Sequence, residues 1–173
     1  LPMDMKLRSQ LIDMLIENKR YDEAVSEYLR LADLYYSQAD METTRKILGG
    51  ADQLGDQGVD RELRLKVLHR MADLELQSLD WRQGMVIYEK IRRLAPEDAN
   101  ARASLVDLNF RVGQVQPALA EIGDYVSYLL ERRSFNQAIV FLEEMVKAHP
   151  KQPAILRHLA EVNQQAGNIA AAI

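Results

Sequence analysis

A large apolar residue followed three positions later by a small one recurs six times in this chain. The pairs are Tyr21/Ala24, Met41/Thr44, Trp81/Gly84, Val115/Ala118, Phe135/Ala138 and Ile169/Ala172. Four residues beyond the small member of the first five stands another large residue: Tyr28, Leu48, Tyr88, Ile122 or Leu142. On a helix these positions share one face, where the small residue admits a neighbouring helix and the large ones wedge the crossing. Apolar residues return at three- and four-residue spacing almost throughout, as in Ala24, Tyr28, Leu31 and Tyr35, and no sustained alternation of period two appears. The chain is expected to be all-α.

The intervals between these pairs carry the organisation. Gly84 to Ala118 is 34 residues, and so is Ala138 to Ala172, whereas Ala24 to Thr44 and Ala118 to Ala138 are only 20. Both 34-residue intervals contain a proline, Pro96 or Pro150, twelve positions past the small residue. Proline stops a helix there and forces a new one. The short intervals have Tyr36 and Leu130 at that place instead. One long helix over roughly 22–38, and another over 116–132, are therefore expected to end one hairpin and begin the next. The two regions align without a gap at an offset of 94: Ala24/Ala118, Glu27/Glu121, Met41/Phe135 and Leu48/Leu142. Asp40, Asp80, Gly113, Ser134 and Gly167 stand where caps and turns are needed.

The stretch MADLELQSLDWRQGMVIYEKIRRLAP, from Met71 to Pro96, resembles the tetratricopeptide repeat, a helix-turn-helix unit of 34 residues. Ala72, Trp81, Gly84, Tyr88 and Pro96 fall where that family places small, aromatic, small, aromatic and proline residues. Leu105, Gly113 and Ala118, then Phe135, Ala138, Leu142 and Pro150, then Ala160, Gly167 and Ala172 repeat parts of the pattern. The resemblance covers most of the chain. It implies a right-handed superhelical solenoid of antiparallel helix hairpins, about nine full helices and a truncated tenth, forming a single domain over 1–173. The abrupt end at GNIAAAI reads as a fragment of a longer protein, whose last helix would fray, swap or self-associate. Residues 49–60 hold four of the eight glycines and are expected to form a loop or hinge between repeat blocks.

Composition excludes several function classes. Without cysteine there are no disulfides, thiolate metal sites or cysteine nucleophiles. A net charge of −4 opposes general nucleic-acid or anionic-membrane binding. No apolar run approaches the roughly 20 residues that span a bilayer, and no signal-peptide pattern is present, so a cytoplasmic location is expected. The sequence holds no GxGxxG, P-loop, HExxH or GxSxG pattern, and neither an enzyme nor a cofactor is expected. His69 with Asp73, and His158 with Glu161, have helical spacing that could ligate a metal, but two ligands are too few and surface pairing is the simpler account.

The resemblance implies a concave surface, lined by the first helix of each hairpin, that binds peptides or partner helices. At spacing i, i+3, i+7, i+10 this face holds Lys66, His69, Asp73 and Leu76. It continues with Asn100, Ala103, Asp107 and Phe110, then Ala154, Arg157, Glu161 and Gln164, with Lys6, Ser9, Asp13 and Ile16 as the first copy. Family members that clamp a C-terminal carboxylate use Lys and Asn here. Asp13, Asp73, Asp107 and Glu161 occupy the Asn position, so an acidic C-terminal tail is not expected and a mixed or basic ligand fits better. The expected function is a non-catalytic protein-interaction scaffold. A regulatory or sensor module of a larger signalling or transcription protein is the alternative. An RNA-binding helical repeat, with Arg61, Arg64, Lys66 and Arg70 as its basic cluster, is disfavoured by the charge.

Overall fold

The computed structural model describes residues 2–167. Nine α-helices are found among them: α1 (Pro2–Glu17), α2 (Tyr21–Ser37), α3 (Met41–Gln53), α4 (Arg61–Gln77), α5 (Trp81–Leu94), α6 (Ala99–Arg111), α7 (Val115–Glu131), α8 (Phe135–Ala148) and α9 (Pro153–Gln165). A 3-10 turn spans Leu54–Gln57, and no strand occurs among the described residues. The expected tenth helix, with Ile169/Ala172 and the self-association assigned to it, lies outside the described residues.

The two long helices appear within one residue of their expected bounds, at 17 residues each. Conversely, α5 stops at Leu94 and α8 at Ala148, two residues before Pro96 and Pro150. The proline ring disfavours the helical conformation in the residue before it and offers no N–H to continue the ladder.

Five of the connections are the same turn. Lys19, Ala39, Leu79, Gly113 and Arg133 take left-handed φ values of 57°, 60°, 59°, 78° and 57°. The next N–H in each case donates to the carbonyl five residues back. These bonds run from Arg20 to Leu15, Asp40 to Tyr35, Asp80 to Glu75, Gln114 to Asn109 and Ser134 to Leu129, at 2.8–3.1 Å. This is the Schellman closure, and a new helix begins at once, so consecutive helices reverse direction. Asp40 and Asp80 then cap the new helices, their carboxylates accepting from the N–H groups of Thr43 and Gln83 at 3.0 Å. The hydrogen bond from the Thr43 backbone holds the Asp40 carboxyl below its ordinary value. Ser134 holds the N-cap position of α8 at the end of its turn, although its side chain makes no such bond. Of the five left-handed residues only Gly113 escapes the clash of a Cβ with its own backbone. Leu79, 67 % exposed, has little packing to set against that clash. Leu79→Gly is expected to raise stability by about 0.5–1 kcal/mol and Gly113→Ala to lower it by about 1 kcal/mol, both read from urea denaturation midpoints.

Contacts divide the chain into two compact units, Leu1–Leu94 and Ala95–Ile173, where the sequence reads one domain. In the first unit α1 packs on α2, α2 on α3, α3 on α4 and α4 on α5. In the second, α6 packs on α7, α7 on α8 and α8 on α9. Each helix buries its stripe against sequence neighbours, as in repeat proteins. The second unit's core draws Val106, Ile122, Leu142 and Ile155 from four helices, each wholly excluded from solvent. The first unit holds smaller clusters around Val25 and Val67, Ile12 and Leu31, and Leu48 and Leu74.

The offset of 94 extends into contacts that the sequence comparison did not include. The α2 and α7 helices start at Tyr21 and Val115, and α3 and α8 start at Met41 and Phe135. Arg8 of α1 pairs with Glu27 of α2 at 2.5 Å, and Arg102 of α6 pairs with Glu121 of α7 at 2.7 Å. Both partners are displaced by 94 positions. The apolar stripe diverges, however. Leu7, Leu11 and Met14 are 56 %, 41 % and 60 % exposed on α1, whereas Ala101, Leu105 and Leu108 at the matching positions of α6 are buried.

The glycine-rich segment 49–60 is mostly helical, which corrects its reading as a loop. The α3 helix runs to Gln53 and the 3-10 turn follows, so only Gly58–Asp60 is irregular. Two of its glycines have local reasons. A Cβ on Gly50 would meet the Tyr28 ring at 3.2 Å, and Gly58 has φ +90°. Close packing and one turn, rather than flexibility, account for them. The boundary between the units falls elsewhere, after Leu94.

Candidate functional site

The expected face residues fall into separate sets. On α4, Lys66 and Asp73 are exposed and His69 is partly buried. Asp73 borders a small recess with Asp33, Tyr36, Arg70 and Gln77. The recess rim is cross-linked. The Arg70 guanidinium pairs with Asp33 of α2 and lies 5.7 Å from the centre of the Tyr36 ring. The Tyr36 hydroxyl donates to Gln77 Oε1 at 2.6 Å. Asp33 is therefore neutralised by the guanidinium, and Asp73 adds a carboxylate to the same rim.

The three residues on α6 divide between its ends. Asp107 Oδ1 is hydrogen-bonded to His149 Nε2 at 2.6 Å, and the Phe110 ring lies against the same imidazole with centroids 4.4 Å apart. Asp107 is thus engaged within its own unit. His149 is the C-cap of α8, and the sequence reading passed over it in favour of His69 and His158. A signal was available. Helices two apart in an antiparallel stack run parallel, so the residue closing α8 comes level with the last turns of α6. Asn100 lies seven residues before Asp107, about 10 Å along the helix axis. It is exposed and borders a different depression with Tyr125, Asn136, Gln137, Val140 and Glu144.

On α9, Arg157, Glu161 and Gln164 are exposed. His158 Nδ1 stands 3.7 Å from Glu161 Oε2, a surface pair. Among the described residues no three histidine or acidic side chains are grouped as a metal would need.

The basic cluster of the sequence is dispersed by its partners. Arg61 Nε donates to the Leu94 carbonyl at 3.0 Å, Arg64 pairs with Asp56 at 3.2 Å, and Arg70 with Asp33. Such pairing leaves no continuous positive stripe along α4 for phosphates to follow. No helix among the described residues is long and apolar enough to cross a membrane.

Three glutamates that periodicity alone could not classify are buried: Glu27, Glu75 and Glu121. Each meets an arginine from the neighbouring helix. Arg45 of α3 grips Glu75 of α4 with two bonds, Nε to Oε1 at 2.6 Å and Nη2 to Oε2 at 2.9 Å. Arg102 donates to Glu121, reaches the Pro96 carbonyl at 3.3 Å and lies 5.2 Å from the centre of the Tyr125 ring. The Tyr125 hydroxyl donates to the Glu97 carbonyl at 3.1 Å. Burial pushes the Tyr125 phenol above its ordinary value, with Arg102 pulling the other way. These pairs tie hairpins together, and their partners leave them few groups to offer a ligand.

No family model matches the chain, and no curated protein matches it. Solved structures do match. A putative kinesin light chain from Podosopora anserina, built of nearly identical TPR-like repeats, superposes with a TM-score of 0.55 at 14 % identity, covering 96 % of this chain and 98 % of that one. BtubC (BKLC) from P. vanneervenii gives a TM-score of 0.53 at 12 % identity, covering 97 % and 85 %. At such identities the likeness establishes the fold: all-α, of the tetratricopeptide-like helix-hairpin kind.

Proposed function

We propose, with the tetratricopeptide-like fold as premise, that this chain is a non-catalytic interaction module binding a peptide or partner helix on the first-helix faces of its hairpins. The candidate contact residues are Lys66, His69 and Asp73 of α4, Asn100, Asp107 and Phe110 of α6, and Arg157, Glu161 and Gln164 of α9. The observation that carries this reading is the exposed, mixed-charge surface of α4 in the first unit and, separately, that of α9 in the second. Lys66, Asp73, Arg157 and Gln164 project there, whereas the buried ionic groups are occupied by one another. Asp73, beside the neutralised Arg70–Asp33 pair, leaves one net negative charge that favours a ligand carrying a cation and repels an acidic peptide terminus. Asp107 contributes through its pair with His149, which presents an aromatic and polar surface rather than a bare charge.

The test is a cellulose-bound array of random short peptides probed with the labelled chain and with Asp73→Lys. Basic or mixed peptides should be retained by the first. Asp73→Lys should lose about tenfold in affinity for them, the effect of reversing one charge in a contact. Identical array patterns for both proteins would remove α4 from the reading, and retention of acidic-terminus peptides alone would overturn its charge logic.

A further inference from the structure

We infer that the depression between α6 and α8, over the middle of α7, is a second peptide site, shaped for an extended segment that places an apolar residue close to a lysine or arginine. The inference rests on the interaction-module reading, because Asn100 belongs to both, but it names a different surface.

The depression has a volume of about 420 Å³, within the range of roughly 300–1,000 Å³ typical of ligand sites. Its floor is aromatic and fixed. Tyr125 and Phe141 are buried, meet edge to face with centroids 4.8 Å apart, and the Tyr125 hydroxyl is satisfied by the Glu97 carbonyl. Its wall is one row of α8. Asn136, Val140 and Glu144 follow at four-residue spacing with Gln137 beside them, and Asn100 faces them from the start of α6.

Each wall residue is available. Val140 is 53 % exposed, an apolar side chain beside the aromatic floor. The amides of Asn100, Asn136 and Gln137 are exposed, and each carries both donors and an acceptor, the complement of a peptide group. Glu144 is exposed and makes no ion pair among the described residues.

The geometry selects the occupant. The row from Asn136 to Glu144 spans about eight helical rises, about 12 Å, which matches three to four residues of extended chain at about 3.3 Å each. The amides lie at the Asn136 end, where Glu97 also borders the depression, with Val140 in the middle and the Glu144 carboxylate at the far end. An extended strand would therefore hydrogen-bond its backbone to the amides, rest an apolar side chain on Val140 and Phe141, and aim its cation at Glu144. An acidic side chain at that end meets repulsion from Glu144 instead.

The experiment is fluorescence anisotropy with two labelled, end-blocked pentapeptides, one containing Leu-Ala-Arg and the other Leu-Ala-Glu. They are titrated with the full chain and with Glu144→Lys, Val140→Asp, Asp73→Lys and the neighbouring Glu143→Lys, all at exposed positions, each checked for native helicity by circular dichroism. The Leu-Ala-Arg peptide should bind. Its affinity should fall about tenfold or more with Glu144→Lys and with Val140→Asp, remain unchanged with Glu143→Lys, and exceed that of the Leu-Ala-Glu peptide. Binding that ignores both α8 variants overturns the site. If Asp73→Lys alone abolishes binding, the α4 reading stands and this one fails. No binding of the arginine peptide at about 1 mM also rejects the site, whatever the array on α4 returns.

Discussion

Arg102→Met is expected to destabilise the second unit by about 3–5 kcal/mol, because it removes one member of a buried ion pair. The Arg102 and Glu121 side chains are 8 % and 5 % exposed and meet at 2.7 Å. Removing both charges should cost far less than removing one. In Arg102→Met/Glu121→Met the site is apolar and filled, and a swap of that kind is often neutral or stabilising. The corresponding pair on α1 and α2 supplies the control. Arg8 is 27 % exposed, and Glu27 retains a second partner, Arg30 at 2.6 Å. Arg8→Met should therefore cost about 1 kcal/mol or less, as for a partly solvated pair. Urea denaturation of the four proteins measures all of this. Equal losses at Arg8 and Arg102, or a double variant no more stable than the single, would show that these arginines act through packing rather than through charge.

Leu105→Ala should cost about 2–4 kcal/mol and Leu11→Ala less than about 1 kcal/mol. The two leucines occupy the same position of the 94-residue repeat, yet Leu105 is 3 % exposed and Leu11 is 41 % exposed. A fully buried leucine leaves a cavity when truncated, and a solvated one does not. Thermal or urea denaturation of the two variants decides the point. Matching losses would mean that Leu11 is covered in solution.

The turns reveal how much of this fold is local. Lys19, Ala39, Leu79 and Arg133 adopt a left-handed conformation that glycine would take more readily, and they hold it because each is bracketed by a helix on either side. Sequence inspection flagged Gly113 and Gly167 as turn residues and missed the other four, since nothing about an alanine or leucine marks it for positive φ. Only the requirement that the next helix turn back onto the previous one selects that conformation.

His149 makes a similar case for the candidate site. Its place beside Asp107 and Phe110 depends on α6 and α8 running parallel two helices apart. The wall of Asn136, Val140 and Glu144 was likewise invisible, because those residues follow the pattern of an ordinary solvated helix face. Only the neighbouring α6 turns that face into one side of a depression.

By itself the sequence determined the helices: their number over the described residues, the two long ones, the proline stops, the aspartate caps and the 94-residue recurrence. These follow from periodicity, propensity and chain breakers, which act within a few residues of one another. Tertiary structure alone decided the rest. It made Glu27, Glu75 and Glu121 interior residues, kept the glycine-rich segment helical, buried Leu105 while exposing Leu11, and brought Asn100 to the wall of α8. Burial and pairing depend on which helix lies across which face, and that is set by packing between residues distant along the chain.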